Sequence, residues 1–232
     1  MANSFLKAAK KVLKTEADAL EKLKDDLPID FSDLVEFILN LTGRVIVSGV
    51  GKSGHIGNKI AATLASTGTP AYFVHATEAS HGDLGMITEQ DLCLLISNSG
   101  ETVEMFDILT HARRFSIPIA TISSNCESTL VKAANFQLCL PMADEACPIG
   151  MAPTTSTTMM LALGDALAVA LMEAKSFNAE NFKIFHPGGK LGAKLMTVSQ
   201  LMHKDDAIPL VKTETSMKET LLIMSTKGFG IA

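Results

Sequence analysis

Five short runs of apolar residues, each five to seven residues long, alternate along the chain with segments of helical periodicity. Runs that are apolar throughout are typical of strands covered on both faces, and strands joined through helices pair in parallel. The pattern therefore predicts an α/β fold, with one five-stranded parallel sheet flanked by helices in a doubly wound arrangement. The runs are 44–48 (RVIVS), 71–75 (AYFVH), 91–97 (DLCLLIS), 118–123 (PIATIS) and 136–140 (FQLCL).

Helices are predicted outside these runs. Residues 4–26 have apolar side chains at helical spacing and a polar face rich in Lys, Glu and Asp, and Ser32 is predicted to cap a second helix that runs to about residue 41. The most apolar stretch, 159–172, is interpreted as a core helix too short to span a bilayer. The first residues lack the features of a signal peptide. We therefore expect a cytoplasmic protein with no membrane partner.

Composition excludes some classes of function. The net charge of -5 argues against a nucleic-acid partner. Hydrophobic residues make up 47% of the chain and charged residues 19%, which argues against extended disorder. No zinc motif is visible, and the cysteines form no C-x-x-C pair, so we expect buried, reduced thiols. The four cysteines are Cys93, Cys126, Cys139 and Cys147.

The loop after the first run, 49–54 (GVGKSG), contains G-x-G-x-x-G between a strand and a helix. This pattern is typical of dinucleotide sites, and Glu78 lies at about the distance expected for a ribose contact. Glycines required only for a tight turn are a second interpretation. Lys52 and Ser53 favour a third, in which backbone N–H groups and Lys52 hold a small phosphate or polyol.

The loop after the third run, 97–102 (SNSGET), combines three hydroxyls and a glycine before a helix. Hydroxyls and helix-start N–H groups form a compact site for a phosphate monoester, whereas ordinary N-capping by Ser99 or Thr102 would need fewer of them. Glu104, in the first turn of the predicted helix, would point towards the same predicted phosphate site. Two further polar segments, 143–148 (ADEACP) and 186–190 (HPGGK), are compatible with either surface loops or a site.

Taken together, these loops resemble the sugar isomerase (SIS) domain family over about residues 33–195. The order of GKSGHIG, ASHGDLG, PTTSTT and HPGGKLG carries the resemblance more specifically than SNSGET alone. The motifs lie within 48–71, 75–87, 96–102, 147–168 and 185–195.

The resemblance implies an aldose–ketose isomerase that interconverts D-ribulose 5-phosphate and D-arabinose 5-phosphate and supplies synthesis of 3-deoxy-D-manno-octulosonate, a lipopolysaccharide sugar. It implies four catalytic residues: Lys52, Glu104, Glu145 and His186. It also implies that His75 and His81 lie near the substrate. In all we expect nine substrate-binding residues: Gly51, Ser53, Gly68, Thr69, His75, His81, Ser97, Ser99 and Thr102.

This isomerisation moves a proton between adjacent carbons through an enediol(ate), and it requires a carboxylate base and a fixed phosphate. We favour Glu145 as the base, with a pKa raised by desolvation, and Glu104 as its partner. His186 is the candidate for moving oxygen-bound protons. No cofactor is expected. His75, with His81, could capture a divalent ion that inhibits rather than assists.

The resemblance also bears on organisation. Residues 1–195 are expected to form the isomerase domain, and 196–232, with one short strand and one amphipathic helix, the opening of a CBS (cystathionine-β-synthase-type) domain that continues past the chain given. A homotetramer is expected, with His186 completing a neighbour's site. The alternative is a non-catalytic sugar-phosphate sensor, although no DNA-reading module is visible before the first strand.

Overall fold

The structure, a computed structural model, describes residues 2–186 and 198–232. Five parallel strands form one sheet in the order β2-β1-β3-β4-β5, which confirms the α/β prediction. Each strand falls within or beside a predicted apolar run. The three central strands are buried throughout, whereas the edge strands β2 and β5 are partly exposed. The strands are β1 (Val45–Gly49), β2 (Ala71–Phe73), β3 (Leu92–Ile96), β4 (Ile119–Ser123) and β5 (Phe136–Cys139).

Helices cover both faces of the sheet. One face packs against α1 (Ala2–Asp25), α2 (Phe31–Leu39), α3 (Gly51–Ser66) and α7 (Thr155–Ala174). The other packs against α4 (Ala76–Ala79), α5 (Phe106–Arg114) and α6 (Thr129–Ala133). Short 3₁₀ helices span Asp83–Met86 and Val103–Met105, and α8 (Ala179–Phe185) ends the first compact unit.

The strand order creates a crevice between β1 and β3. These neighbours pair from Val45–Leu92 to Gly49–Ile96, yet the chain leaves β1 for a helix on one face and leaves β3 for a helix on the other. In doubly wound sheets ligands bind outside the carboxyl ends of the strands at such a point. The fold therefore directs attention to the loops that follow β1 and β3.

Helix α7 contains the apolar stretch 159–172, which we expected to be too short to span a bilayer. That expectation was wrong, because the whole helix has 20 residues and is long and apolar enough to cross a membrane by length and composition. Half of its most apolar window is nevertheless buried inside the protein. Its buried residues include Met160, Leu163, Leu167 and Leu171, which pack with α1, α2 and α3. The interpretation as a core helix is therefore supported.

Two local predictions are corrected. The N-cap of α2 is Asp30 rather than Ser32. Asp30 has a partner far along the chain, because its Oδ2 accepts a hydrogen bond of 2.7 Å from the backbone N–H of Gln137 in β5.

The thiols are not all reduced and buried either: Cys126 and Cys139 form a disulfide, with Cα atoms 5.7 Å apart. Residues 13 apart meet because β4 and β5 are neighbours, which the spacing did not indicate.

Residues 186–232 form a second compact unit. Its described part contains helices Val198–Leu201 and Met217–Lys227 and a 3₁₀ turn, but no strand. The predicted strand is therefore absent there, since a lone strand has no partner for its backbone groups. The helix Met217–Lys227 confirms the helical half of that prediction, with Ser216 as its cap and Gly228 in the left-handed region. The predicted domain boundary at 195/196 lies outside the described residues.

Candidate active site

The loop after β1 places Lys52 at the carboxyl edge of the sheet. Gly51 adopts a positive φ of 57°, which allows the strand to turn directly into α3. At Gly54 an added Cβ would lie 2.8 Å from the carbonyl oxygen of Gly49, so this glycine permits close contact between helix and strand. Lys52 follows Gly51 in the first turn, and its side chain is exposed.

Ser53 is half-buried and contacts α7. Its hydroxyl lies 3.9 Å from the sulfur of Met160 in the second turn of α7. The contact joins the first turn of α3 to the second turn of α7. Ser53 thus has an observed packing partner, and its predicted contact with substrate stays a prediction.

The loop after β3 is built by its own hydroxyls. Ser97 Oγ accepts a 3.0 Å hydrogen bond from the N–H of Gly100 and lies 2.8 Å from Thr102 Oγ1. Ser97 is buried, whereas Ser99 is exposed and accepts a 3.2 Å bond from the N–H of Glu101. Gly100 has a φ of 65°. Ser97 therefore shapes the loop, and Ser99 is free to contact a ligand.

A second loop supports the first. Ser124 donates a 2.8 Å bond to Asn98 Oδ1, and Asn125 Nδ2 donates a 3.2 Å bond to the carbonyl of Ser99. The N–H of Thr129 donates to Glu101 Oε1 at 2.7 Å. The segment after β4 therefore fixes the position of the loop after β3.

The two predicted histidines flank α4 at the end of β2. His75 is half-buried, and its Nδ1 accepts a 3.3 Å bond from the N–H of Thr77, so the ring caps α4. His81 lies just beyond α4 and is exposed, as is Glu78, the candidate ribose contact. Among the described residues no group of three His, Cys, Asp or Glu side chains could hold a metal ion.

Glu145 lies between β5 and α7, and its carboxylate is held at the first turn of the helix. Oε2 accepts bonds from the N–H and the hydroxyl of Thr154, at 2.7 and 2.9 Å, and from the N–H of Ser156 at 3.4 Å. Oε1 accepts a bond from the hydroxyl of Ser156. Sequence reasoning missed this network, although the run 154–158 (TTSTT) was an available signal.

The predicted raised pKa of Glu145 is wrong. Burial by itself would raise the pKa of this carboxyl, but the hydrogen bonds from Ser156 and Thr154 outweigh it, and the pKa lies below its usual value. Glu104 has a different environment. It lies in the 3₁₀ turn that precedes α5, and it is exposed. Among the described residues its carboxylate has no hydrogen-bond or ion-pair partner.

Gly68 and Thr69 lie at the other edge of the sheet, before β2 begins. Lys175 Nζ donates to the carbonyl of Gly68 at 3.0 Å and to Thr69 Oγ1 at 2.8 Å. Burial lowers the pKa of this lysine. Within one chain, therefore, the structure does not bring Gly68 and Thr69 together with Lys52.

His186 is the first residue of the second unit, and its place beside Lys52 stays a prediction. Residues 187–190 of the same motif lie outside the described part of the chain. Within the first unit, Lys52, the 97–102 loop, Glu104, Glu145 and the two histidines all follow the ends of strands of the sheet. Their joint role as one site stays a prediction.

An open cavity of about 530 Å³ lies elsewhere, at the amino edge of β3 and β4. It is lined in part by Glu89, His111 and Phe115 and by none of the predicted site residues. We place the site at the carboxyl edge instead, because the β1–β3 crevice and the cluster of polar side chains coincide there.

Comparison with known proteins identifies the family of the chain. The SIS domain family matches residues 38–170. An arabinose 5-phosphate isomerase, KdsD, from Yersinia pestis is 51% identical over 228 residues, which cover 98% of this chain and 70% of the relative. The KdsD of Escherichia coli K12 is 47% identical over the same shares.

A solved structure extends the likeness to three dimensions. A protein of Escherichia coli CFT073, in complex with arabinose 5-phosphate, is 38% identical and superposes with a TM-score of 0.78. The superposition covers 81% of this chain and all of that one. A Bacteroides fragilis phosphosugar isomerase involved in capsule formation gives 0.75 at 37% identity, over 80% of this chain and 98% of that one. This chain therefore belongs to the arabinose 5-phosphate isomerases of the SIS domain family.

Proposed function

We propose that this protein is an aldose–ketose isomerase that interconverts D-ribulose 5-phosphate and D-arabinose 5-phosphate through an enediol(ate). The identity of 51% across nearly the whole chain to an isomerase of this name is the observation that carries the proposal. The site has what the reaction requires: two carboxylates, a cation and a hydroxyl-rich loop on one edge of the sheet.

The loop after β3 binds the phosphate. Ser99 and Thr102 provide hydroxyls beside the start of the helical segment 103–114, where backbone N–H groups attract an anion. Ser97, bonded within the loop, sets the shape that presents them. His75 and His81 line the same edge on the β2 side, where they orient the sugar.

Lys52 provides the positive charge for the phosphate or the enediolate oxygen. Its side chain is exposed at the first turn of α3, and no acidic group in the described part of the chain forms an ion pair with it. An unpaired ammonium group at the rim of a crevice can stabilise developing negative charge, which is a large term in such reactions. Neither a redox cofactor nor a metal takes part in the proposed steps.

His186 moves the oxygen-bound proton, and it does so in the site of another subunit of a homotetramer. Phe185, the last residue of the first unit, lines a cavity with Gly68 and Tyr72 at the amino edge of β2. Helix α8 therefore ends at the edge away from Lys52. Gly68 and Thr69 lie at that same edge and would also reach substrate only in a neighbour. Exposed apolar residues on α1, among them Phe5 and Leu13, offer surface for assembly.

The cellular role follows from the product. Arabinose 5-phosphate made in the cytoplasm would supply synthesis of 3-deoxy-D-manno-octulosonate for lipopolysaccharide. Residues 196–232 would begin a CBS domain that lies beside the isomerase domain in the sequence.

The test is direct. Purified protein is incubated with ribulose 5-phosphate, without nucleotide or metal and with a chelator, and the products are resolved by anion-exchange chromatography. We expect equilibration with arabinose 5-phosphate and no turnover of phosphate-free ribulose. Activity that is lost in chelator and restored by one metal would refute the metal-free mechanism, and turnover of a different ketose phosphate alone would refute the substrate.

A further inference from the structure

The carboxylate of Glu145 has little capacity left for a new partner. A carboxylate has about four acceptor positions, and Glu145 accepts four hydrogen bonds from only two residues, Thr154 and Ser156. Three of the four converge on Oε2. The two donor residues lie 9 and 11 positions from Glu145 along the chain, so these contacts are local and do not depend on distant packing.

The groups that donate to Glu145 are held at the start of α7. Ser156 is buried, with 5% of its surface exposed, and it lies in the first turn of the 20-residue helix α7. The positive end of the helix and its free N–H groups stabilise a negative charge at this position. The N–H of Ala146 donates to the hydroxyls of Thr154 and Thr155, each at 3.0 Å, which fixes the loop on the other side of Glu145.

A base that accepts a proton from carbon must give up such bonds. Protonation of Glu145 would replace an acceptor with a donor at an oxygen already facing N–H and O–H groups, which disfavours the neutral form. Glu104, exposed and without a partner in the part of the chain that the structure describes, loses nothing comparable when it takes up a proton. The two carboxylates therefore differ in the freedom that proton transfer requires.

We propose that Thr154 and Ser156 are positioning residues that keep Glu145 a fixed carboxylate, and that Glu104 is the group that takes the carbon-bound proton. The inference rests on the proposed isomerase function and reverses the assignment favoured from the sequence. Starting from the ketose, Glu104 removes a proton from C1, the C–H electron pair forms the C1–C2 double bond, and the carbonyl pair moves to the C2 oxygen. Return of the proton to C2, with transfer of a hydroxyl proton between the two oxygens, gives the aldose.

Proton exchange tests the base assignment. Ribulose 5-phosphate is incubated in deuterated water with each variant, and incorporation of deuterium at carbon is followed by NMR. Glu104→Gln should slow exchange by about 100-fold or more, and Glu104→Asp should restore part of it, whereas Glu145→Gln should retain faster exchange than Glu104→Gln. If Glu145→Gln loses exchange while Glu104→Gln keeps it, the proposal is overturned.

The positioning role has its own readout. Ser156→Ala should raise the pKa of Glu145, because it removes a hydrogen bond that stabilises the carboxylate. ¹³C NMR titration of the glutamate carboxyls measures that pKa, and the acid limb of the kcat/KM profile should move to higher pH. Ser156→Thr should restore both. The matched control is Thr157→Val, because the Thr157 hydroxyl bonds to the carbonyl of Thr154 and does not contact Glu145. Equal shifts in Ser156→Ala and Thr157→Val would contradict the role.

The role of Thr154 and Ser156 and the isomerase activity are measured in separate experiments. The carboxyl titration requires no substrate, so it reports on the Glu145 network whether or not the chain isomerises this sugar. Equilibration of the two sugar phosphates by the wild-type protein decides the proposed function by itself.

Discussion

Arg44 and Asp91 form an ion pair that joins the start of β1 to the start of β3: Nη2 of Arg44 lies 2.9 Å from Oδ2 of Asp91, whose side chain is 1% exposed. The carboxylate also accepts bonds from the N–H and Nε of Arg44 and from the N–H and hydroxyl of Thr88. Burial would raise the pKa of Asp91, but the bonds from Arg44 and Thr88 hold it below its usual value.

Asp91→Asn should therefore lower the free energy of unfolding at pH 7 by roughly 2–4 kcal/mol, less than for a fully buried pair because Arg44 remains partly exposed. A lowered folded-state pKa contributes stability that is present above the unfolded-state value, near 3.9, and is lost as pH falls through the folded value. Urea denaturation at pH 7 and at pH 3 should show the difference shrinking at pH 3. Asp18→Asn, which removes the exposed pair with Lys14, is the control and should change little. A difference that is the same at both pH values would contradict the linkage.

Ser99→Ala should weaken binding of arabinose 5-phosphate by about 0.5–1.5 kcal/mol, or up to about 3 kcal/mol for a charge-assisted bond, without changing stability. Ser97→Ala should lower affinity and stability together, because Ser97 is buried and accepts from Gly100. Calorimetric titration and thermal unfolding measure the two effects. Thr110→Ala, an exposed change in the middle of α5, is the control. Unchanged affinity in Ser99→Ala would make the loop structural only.

Gly100→Ala should disrupt the same loop. Its φ of 65° is costly for any residue with a Cβ, by about 1–3 kcal/mol, and the added atom would lie 1.9 Å from Ser128 Oγ. Because Ser128 caps α6, the clash should reduce stability as well as affinity. Gly85→Ala is the matched control, since an added Cβ there meets nothing within 4 Å. Equal unfolding midpoints in the two variants would contradict this account.

Cys147 should be the most reactive thiol of the native protein. The N–H groups of Ala152 and Ile149 donate to its sulfur and lower the pKa of this thiol, whereas burial raises the pKa of Cys93 to about 12. The thiolate is the reactive form, so alkylation by iodoacetamide near pH 7 should label Cys147 first and leave Cys93 unlabelled. Peptide mass spectrometry after short labelling gives the order. Labelling of Cys93 at the rate of Cys147 would contradict the prediction.

The sequence predicted the sheet well and the site incompletely, for physical reasons that particular residues illustrate. Strand β3 is buried on both faces, so its residues 92–96 are all apolar and the sequence predicts the strand directly. The glycine spacing of 49–54 is compatible with a dinucleotide, a small phosphate or no ligand at all. The spacing specifies a tight turn, but it does not specify which ligand the turn would bind. The pKa of Glu145 depends on the geometry of Thr154 and Ser156, which a run of hydroxyl residues does not specify. Gly68 lies at the opposite edge because it precedes β2 in a parallel sheet, and the predicted strand 71–75 already implied that position.

Shared sites between subunits should be detectable by mixing inactive variants. Lys52→Ala removes the cation at the carboxyl edge, and His186→Ala removes the proposed proton carrier, so each variant should be inactive by itself. If His186 serves the site of a neighbour, co-assembled subunits should recover part of the wild-type rate. A site that takes Lys52 from one variant and His186 from the other is intact. Up to about one quarter of the sites would be intact under random mixing of equal amounts, and the sugar interconversion assay can resolve that fraction. Differently tagged subunits, unfolded together, refolded and purified through both tags, ensure that mixed oligomers are measured.

Lys132→Ala in place of Lys52→Ala is the control for subunit exchange, since Lys132 forms an exposed ion pair with Glu127 and is not among the predicted site residues. Verified mixed oligomers with no recovered activity would place the whole site within one chain and leave assembly with a stabilising role only.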